Sequence, residues 1–280
     1  MRQIDWAAHR AHREQIAADC GQWVGLTDED GVPLLTLPQL EDMDWPESRG
    51  SIESVEVSLQ VRTPSDGVHQ VVRELVAQQL GVVDEQARLV PVTGPARLLV
   101  LERPGMPRMA MKVSHVEVEG DTHLPHSLTI HGVGVLGVLD QLPCPSNPVT
   151  WTGQFTRFTR DWVGPPDTAE LFEHPRDLAD MKLLTVADGA SVEGDSDEVI
   201  HRLISESLQA VYRMAAVTEH PPYVAVRLPA LTASPYTILR PTDQSIWAEV
   251  GNEALLAGVA IRAGLWWPGD PQPPGLTGPA

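Results

Sequence analysis

Residues 54–62 read Ser54-Val55-Glu56-Val57-Ser58-Leu59-Gln60-Val61-Arg62. Apolar side chains at 55, 57, 59 and 61 alternate with polar ones between them. A period of two places the sets on opposite sides of a strand, so the stretch predicts one dry face and one wet face. Thr63-Pro64-Ser65-Asp66-Gly67 then turns the chain. Beyond the turn the period lengthens. Val68, Val71, Val72, Leu75, Val76 and Leu80 fall on one side of a helix that Gly81 stops. Strand character returns over Ala96–Glu102, Met109–Glu119 and Ser127–His131, separated by Arg103-Pro104-Gly105 and Gly120-Asp121. A strand, a helix and a β-meander predict an α+β domain built on an antiparallel sheet or β-barrel with short helices.

Upstream, residues 1–20 predict a helix of mixed polarity, with Trp6, Ala7, Ile16 and Ala17 as its apolar positions and Gly21 as its stop. A short apolar stretch bounded by prolines follows at Leu34–Leu40. Downstream, Pro143-Cys144-Pro145-Ser146-Asn147-Pro148 admits neither helix nor ladder and marks a boundary. The expected division is a first domain over 1–148, a second, smaller α/β domain over 149–270, and a Pro/Gly-rich tail over 271–280. In the second domain, Ile200, Leu203, Ile204, Leu208, Val211, Tyr212 and Ala215 stripe a helix over 197–216, with Asp195 and Glu198 as a capping pair. Strands are expected at Tyr223–Leu228 and Tyr236–Arg240. A helix over 243–257 is capped by Thr242 and closed by Gly258, and a last strand runs over Val259–Trp267.

The chain carries 20 Lys and Arg against 38 Asp and Glu, a net charge of -18. That field repels phosphate backbones and anionic lipid surfaces, which argues against nucleic-acid binding and membrane association. The N-terminus leads into a charged helix, so no secretory leader is expected, and no apolar run is long enough to insert in a membrane. Cys20 and Cys144 stand far apart, which rules out a disulfide framework and leaves their pairing open.

Few motifs point to chemistry. Gly132-Val133-Gly134-Val135-Leu136-Gly137 is a literal GxGxxG after a strand, the pattern that cradles a pyrophosphate. The helix it would open ends within two turns at Pro143, and no second strand with a closing acidic residue follows. A sharp strand-to-helix turn accounts for those glycines better. His123, His126 and His131 cluster around a strand start, with His115 one strand earlier, and no carboxylate or cysteine completes an obvious metal set. HExxH, the nucleophile elbow and the P-loop are all missing. The expectation is a non-enzyme with no catalytic, cofactor or metal site. Most of the eight tryptophans stand at element ends beside Pro or Gly, positions that suit subunit contacts.

Three stretches resemble the minor tail proteins of actinobacteriophage siphoviruses. They are Trp45-Pro46-Glu47-Ser48-Arg49-Gly50 before the alternating strand, Val116–Pro148, and Arg240-Pro241-Thr242-Asp243 with Ile246-Trp247 and Leu265-Trp266-Trp267-Pro268-Gly269-Asp270-Pro271-Gln272-Pro273. The last is the most specific. The resemblance implies a baseplate-hub-like structural protein of the virion tail tip, assembled in the host cytoplasm. It implies a homo-oligomeric ring, usually a trimer, below the tail tube. The ring's partners would be the distal tail protein, the tape measure protein and other minor tail proteins. Trp45, Arg49, Trp151, Trp162, Trp266 and Trp267 are the expected inter-subunit contacts. The competing expectation is a tail-associated cell-wall-degrading or other enzyme domain.

Overall fold

The computed structural model describes residues 4–48, 50–63, 67–76, 83–88, 94–121, 124–145, 155–160, 171–179, 191–217, 221–228 and 233–272. The chain divides into two compact units, residues 1–138 with 261–280, and residues 139–260. The first unit is therefore discontinuous. Residues 261–270, expected in the second domain, belong to the first.

The first unit opens with α1 (Trp6–Cys20), capped by the Asp5 carboxylate, which accepts the Ala8 N–H at 2.9 Å. Gly21, at φ +82°, ends the helix in the left-handed conformation that glycine adopts without a Cβ clash. Strands β1 (Trp23–Thr27), β2 (Pro33–Thr36), β3 (Leu40–Asp44) and β4 (Ser54–Gln60) follow, then α2 (Gln70–Leu75), β5 (Leu98–Glu102), β6 (Met109–Gly120) and β7 (Pro125–Gly134). They make a seven-stranded sheet in the order β2-β1-β5-β6-β7-β4-β3, with every pair antiparallel. Its end strands β2 and β3 do not pair with each other, so the sheet is open and not a closed barrel.

The alternation in residues 54–61 is realised. Val55, Val57, Leu59 and Val61 are buried, and they pack with Leu26, Leu99, Leu101, Met111, Leu128 and Ile130. Val71 of α2 joins this core. The helix is shorter than expected at both ends: Val68 bridges to Arg62 instead, and Val76, at φ -98° and ψ 118°, is already extended, so α2 ends at Leu75 and not at Gly81. Positions 77–82, the end of the expected helix, lie outside the described residues. On the sheet's other face a second cluster gathers Ala17, Trp23, Val100, Ala110 and Trp267.

The glycine motif sits at the end of β7, before a 3-10 turn (Val135–Gly137) and the four-residue α3 (Val138–Gln141). A Cβ on Gly132 would lie 2.6 Å from the Lys112 carbonyl oxygen, and one on Gly134 would lie 2.9 Å from Glu53 Oε2. These glycines permit close strand approach, and no helix long enough to receive a pyrophosphate follows them.

Among its described residues, the second unit contains two antiparallel pairs and, beyond the end of α3, the helices α4 and α5. The pairs are β8 (Phe155–Arg160) with β9 (Leu171–Ala179), and β10 (Val192–Asp195) with β11 (Tyr236–Leu239). Helix α4 (Ser196–Met214) buries Val199, Ile200, Leu203, Ile204 and Leu208, and α5 (Ile246–Ala257) buries Ile246, Val250 and Ala254. The expected Asp195 cap of α4 makes no side-chain cap bond. The cap of α5 is Ser245, not Thr242. Ser245 Oγ accepts the Ala248 N–H at 3.1 Å, while Asp243 at φ +64° prevents an earlier start.

Two expected strands are irregular for a common reason: side chains meet their backbone groups. Around Tyr223, the Tyr212 hydroxyl donates to the Tyr223 carbonyl at 2.6 Å and accepts its N–H at 2.8 Å. In 259–267, Arg108 takes the Leu265 carbonyl at 3.0 Å, and Asp270 accepts the Trp267 N–H at 2.8 Å.

Candidate functional site

The most specific motif in the sequence, Trp267-Pro268-Gly269-Asp270, closes as a tight turn. The Asp270 N–H donates to the Trp267 carbonyl at 3.0 Å, and Gly269 has φ +89°. Proline at the first central position and glycine at the second suit a turn that needs a positive φ. The turn delivers two side chains to the outer face of the sheet. Trp267 is 2% exposed, and its indole N–H donates to the Gly31 carbonyl at 2.7 Å. The Asp270 carboxylate pairs with Arg108 at 2.5 Å.

Charge and aromaticity converge there. Arg108 pairs with Glu102 of β5 as well as with Asp270, and Arg13 of α1 pairs with the same Glu102. The two guanidinium groups flank the Trp267 ring, Arg108 at 4.0 Å and Arg13 at 4.6 Å from the centroid. His9 meets Trp23 and Trp267 edge-on, at 5.7 and 5.1 Å. Arg10 donates to the Gly269 carbonyl at 2.6 Å.

Titration follows this environment. Burial pushes Asp270 up, but hydrogen bonds from Arg108 and the Trp267 N–H, with the nearby arginine charges, hold it below the usual carboxylate range. Burial, then the Arg13 charge, lowers His9 to about 4. Two cations and two anions thus neutralise one another beneath indole rings. Such a cluster clamps chain segments together, and its charges are consumed in doing so.

The six residues expected at subunit contacts are separated. Trp267 is a core residue of its own unit and has no face to offer a neighbour. Trp266 is half-buried and donates to the Pro271 carbonyl at 3.3 Å. Trp45 is half-buried against the main core. Arg49, Trp151 and Trp162 lie outside the described residues. Sequence reading named Trp267 but missed Arg13, Glu102 and Arg108. Arg13, an arginine on an otherwise weakly amphipathic helix, gave no signal of burial.

The histidines separate too. His126 contacts Asp121 at 3.1 Å, and His123 is outside the described residues. His115 and His131 stack, with centroids 4.4 Å apart and planes 6° from parallel. Glu56 and Glu117 approach the two ring nitrogens of His131 at 3.5 and 3.6 Å. Both cysteines are free. Cys144 is buried, accepts the Ser207 hydroxyl at 3.3 Å, and is pushed up to about 11 by burial.

No protein-family model matches the chain. Elongation factor Ts of Coprothermobacter proteolyticus is similar over 128 residues at 25% identity, covering 44% of this chain and 63% of that protein. The chain thus spans less than two thirds of that relative's length. Among the described residues, no helix is long and apolar enough to cross a membrane.

Proposed function

We propose that this chain is a structural component of a phage tail tip, a hub-like minor tail protein that assembles as a ring, a homotrimer, below the tail tube. The ring links the distal tail protein, the tape measure protein and other minor tail proteins. The resemblance in the Leu265–Pro273 motif motivates this reading, and that motif serves architecture in this fold. The observation that carries it is the apolar surface of the second unit. Leu255 and Leu256 of α5 are 58% and 74% exposed, and Tyr236 and Ile238 of β11 are 64% and 50% exposed. The Thr237 hydroxyl donates to Glu253 of α5 at 2.6 Å, so Thr237 marks the face of β11 that meets the helix, and Tyr236 and Ile238 point to the other face. The exposed leucine pair of α5 and the exposed Tyr236 and Ile238 of β11 are two apolar surfaces suited to cover by a partner. The half-buried Trp45 and Trp266, with Arg49, Trp151 and Trp162, remain the proposed further contacts.

Mass photometry of the purified chain tests the assembly, and negative-stain imaging of particles labelled with an antibody tests the location. A ring-sized species that Leu255→Glu with Leu256→Glu returns to monomer is the expected result. A stable monomer absent from virions would sink the reading. A tail-associated enzyme domain would instead show cell-wall hydrolysis by the isolated chain.

A further inference from the structure

Strand β6 changes sides partway along. Val113 lies opposite Gly132 and His115 lies opposite His131, so Ser114 is an extra residue, a β-bulge. Before the bulge the odd positions Met111 and Val113 point to the main core; after it the even position Val116 does. The bulge therefore sends His115 and Glu117 to the outer face. There His115 stands in one row with His131 of β7 and Glu56 of β4, its neighbours across the ladder. Without the extra residue, His115 and Glu117 would be directed into the core.

The hydrogen bonds around the two imidazoles leave corresponding nitrogens free. Ser114 Oγ donates its proton to the His131 carbonyl at 3.0 Å, so its 3.1 Å contact with His115 Nδ1 is one in which the ring N–H donates. The His115 lone pair is then on Nε2. Glu56 Oε2 and Glu117 Oε1 stand 3.5 and 3.6 Å from His131 Nδ1 and Nε2, both long for a hydrogen bond; with the N–H on the Glu56 side, the His131 lone pair is on Nε2 as well. That Nε2 is buried and has no hydrogen-bond partner, and Glu117 Oε1 at 3.6 Å is too far to supply one.

We infer that the outer face of β6 and β7 binds a divalent transition-metal ion of the zinc class through His115 Nε2, His131 Nε2 and the Glu117 carboxylate. His115, Glu117 and His131 each offer a ligand atom, and these atoms all lie within 4.8 Å of one another. Donors on one tetrahedral zinc ion sit roughly 3.4 Å apart, given zinc–nitrogen bonds of about 2.1 Å. The two rings stack 6° from parallel, so binding requires them to turn relative to each other until both lone pairs meet one ion. Two imidazoles with one carboxylate select zinc, cobalt, nickel or copper over magnesium or calcium, whose preferred ligands are oxygens. Ser114 and Glu56 are positioning residues that hold the ring nitrogens in the ligating tautomer. Three protein ligands leave the fourth position of the ion to water.

Calorimetric titration of the full, untagged chain with zinc chloride tests the site, alongside cobalt(II) loading followed by its visible ligand-field bands. Saturation at a single equivalent per chain is expected, with tetrahedral cobalt bands. His115→Ala and His131→Ala should each weaken zinc at least ~10–100-fold, and Glu56→Gln should weaken it ~10-fold. His126→Ala should leave it unchanged. Glu117→Gln, at a side chain 66% exposed, removes a ligand without touching the core, so its loss of affinity is read on a folded protein. Circular dichroism of each metal-free variant checks the fold. No binding by the wild-type chain, or binding that survives the double variant His115→Ala with His131→Ala, would overturn the assignment.

Discussion

Two polar clusters occupy the same face of the same sheet, and they differ in how their charges are met. In the first, Arg13, Arg108, Glu102 and Asp270 pair among themselves beneath α1 and Trp267. In the second, His115, His131, Glu56 and Glu117 lie on strands whose side chains reach solvent, and the carboxylates stand 3.5 and 3.6 Å from the His131 nitrogens. A buried nitrogen without a partner occurs in both clusters, at Arg13 Nε and His9 Nδ1 in the first and at His131 Nε2 in the second. Buried charges that satisfy one another act as structure, because removing either partner leaves an uncompensated ion. Solvent-facing imidazoles and carboxylates brought together without close ion pairs have capacity for a ligand. The contrast assigns the first cluster to stability and the second to binding.

The largest expected effect falls on the closed cluster. Trp267→Ala removes a buried indole and should destabilise the first unit by about 3–5 kcal/mol, measured by urea unfolding followed by tryptophan fluorescence. Arg108→Ala leaves Glu102 with Arg13 alone and takes from Asp270 its close cation, and should cost up to ~3–5 kcal/mol. A loss near zero in either variant would dissolve the distinction. Acid gives an intermediate effect. His9 in the folded chain has its pKa lowered to about 4, so the unfolded state binds more protons between there and the ordinary value of 6.5. Stability contributed by neutral His9 is present above about pH 6.5 and is lost as pH falls towards 4. The loss is on the order of 1–2 kcal/mol after solvent screening, and His9→Phe should flatten that slope. At the open cluster, Glu117→Gln should shift stability by no more than about 0.5 kcal/mol while lowering zinc affinity. A large stability loss there would make the open cluster structural too.

Much of the first unit was legible because its elements follow local periods. The alternation at 54–62 and the runs at 96–102, 109–119 and 127–131 all became strands, since a period of two records burial on one face. The strand expected at 259–267 failed for the opposite reason. Its apolar residues pack, but its backbone is held by Arg108 and Asp270 side chains, and hydropathy cannot distinguish such bonds from a ladder. Likewise nothing local announced that Arg13 would be buried, because the residues that neutralise it lie 89 and more positions away. The histidine pair was hidden by the bulge at Ser114. Counting alternate positions along β6 places His115 on the face of Val113, and only the observed register moves it. The glycine motif was read as a strand passing sharply into a short helix, and a 3-10 turn with the four-residue α3 does follow it; the close approach of Gly132 to β6 needed the register.

The return of residues 261–272 to the first unit also has a consequence for synthesis. A ribosome delivers the sheet early, then the whole of the second unit, and only afterwards Trp267 and Asp270. Until those residues emerge, Arg13 and Arg108 share one carboxylate, and the pocket that receives the indole is wet. The nascent first unit must therefore wait, incompletely locked, while the other unit is made. Translation speed through residues 139–260 sets how long that vulnerable interval lasts.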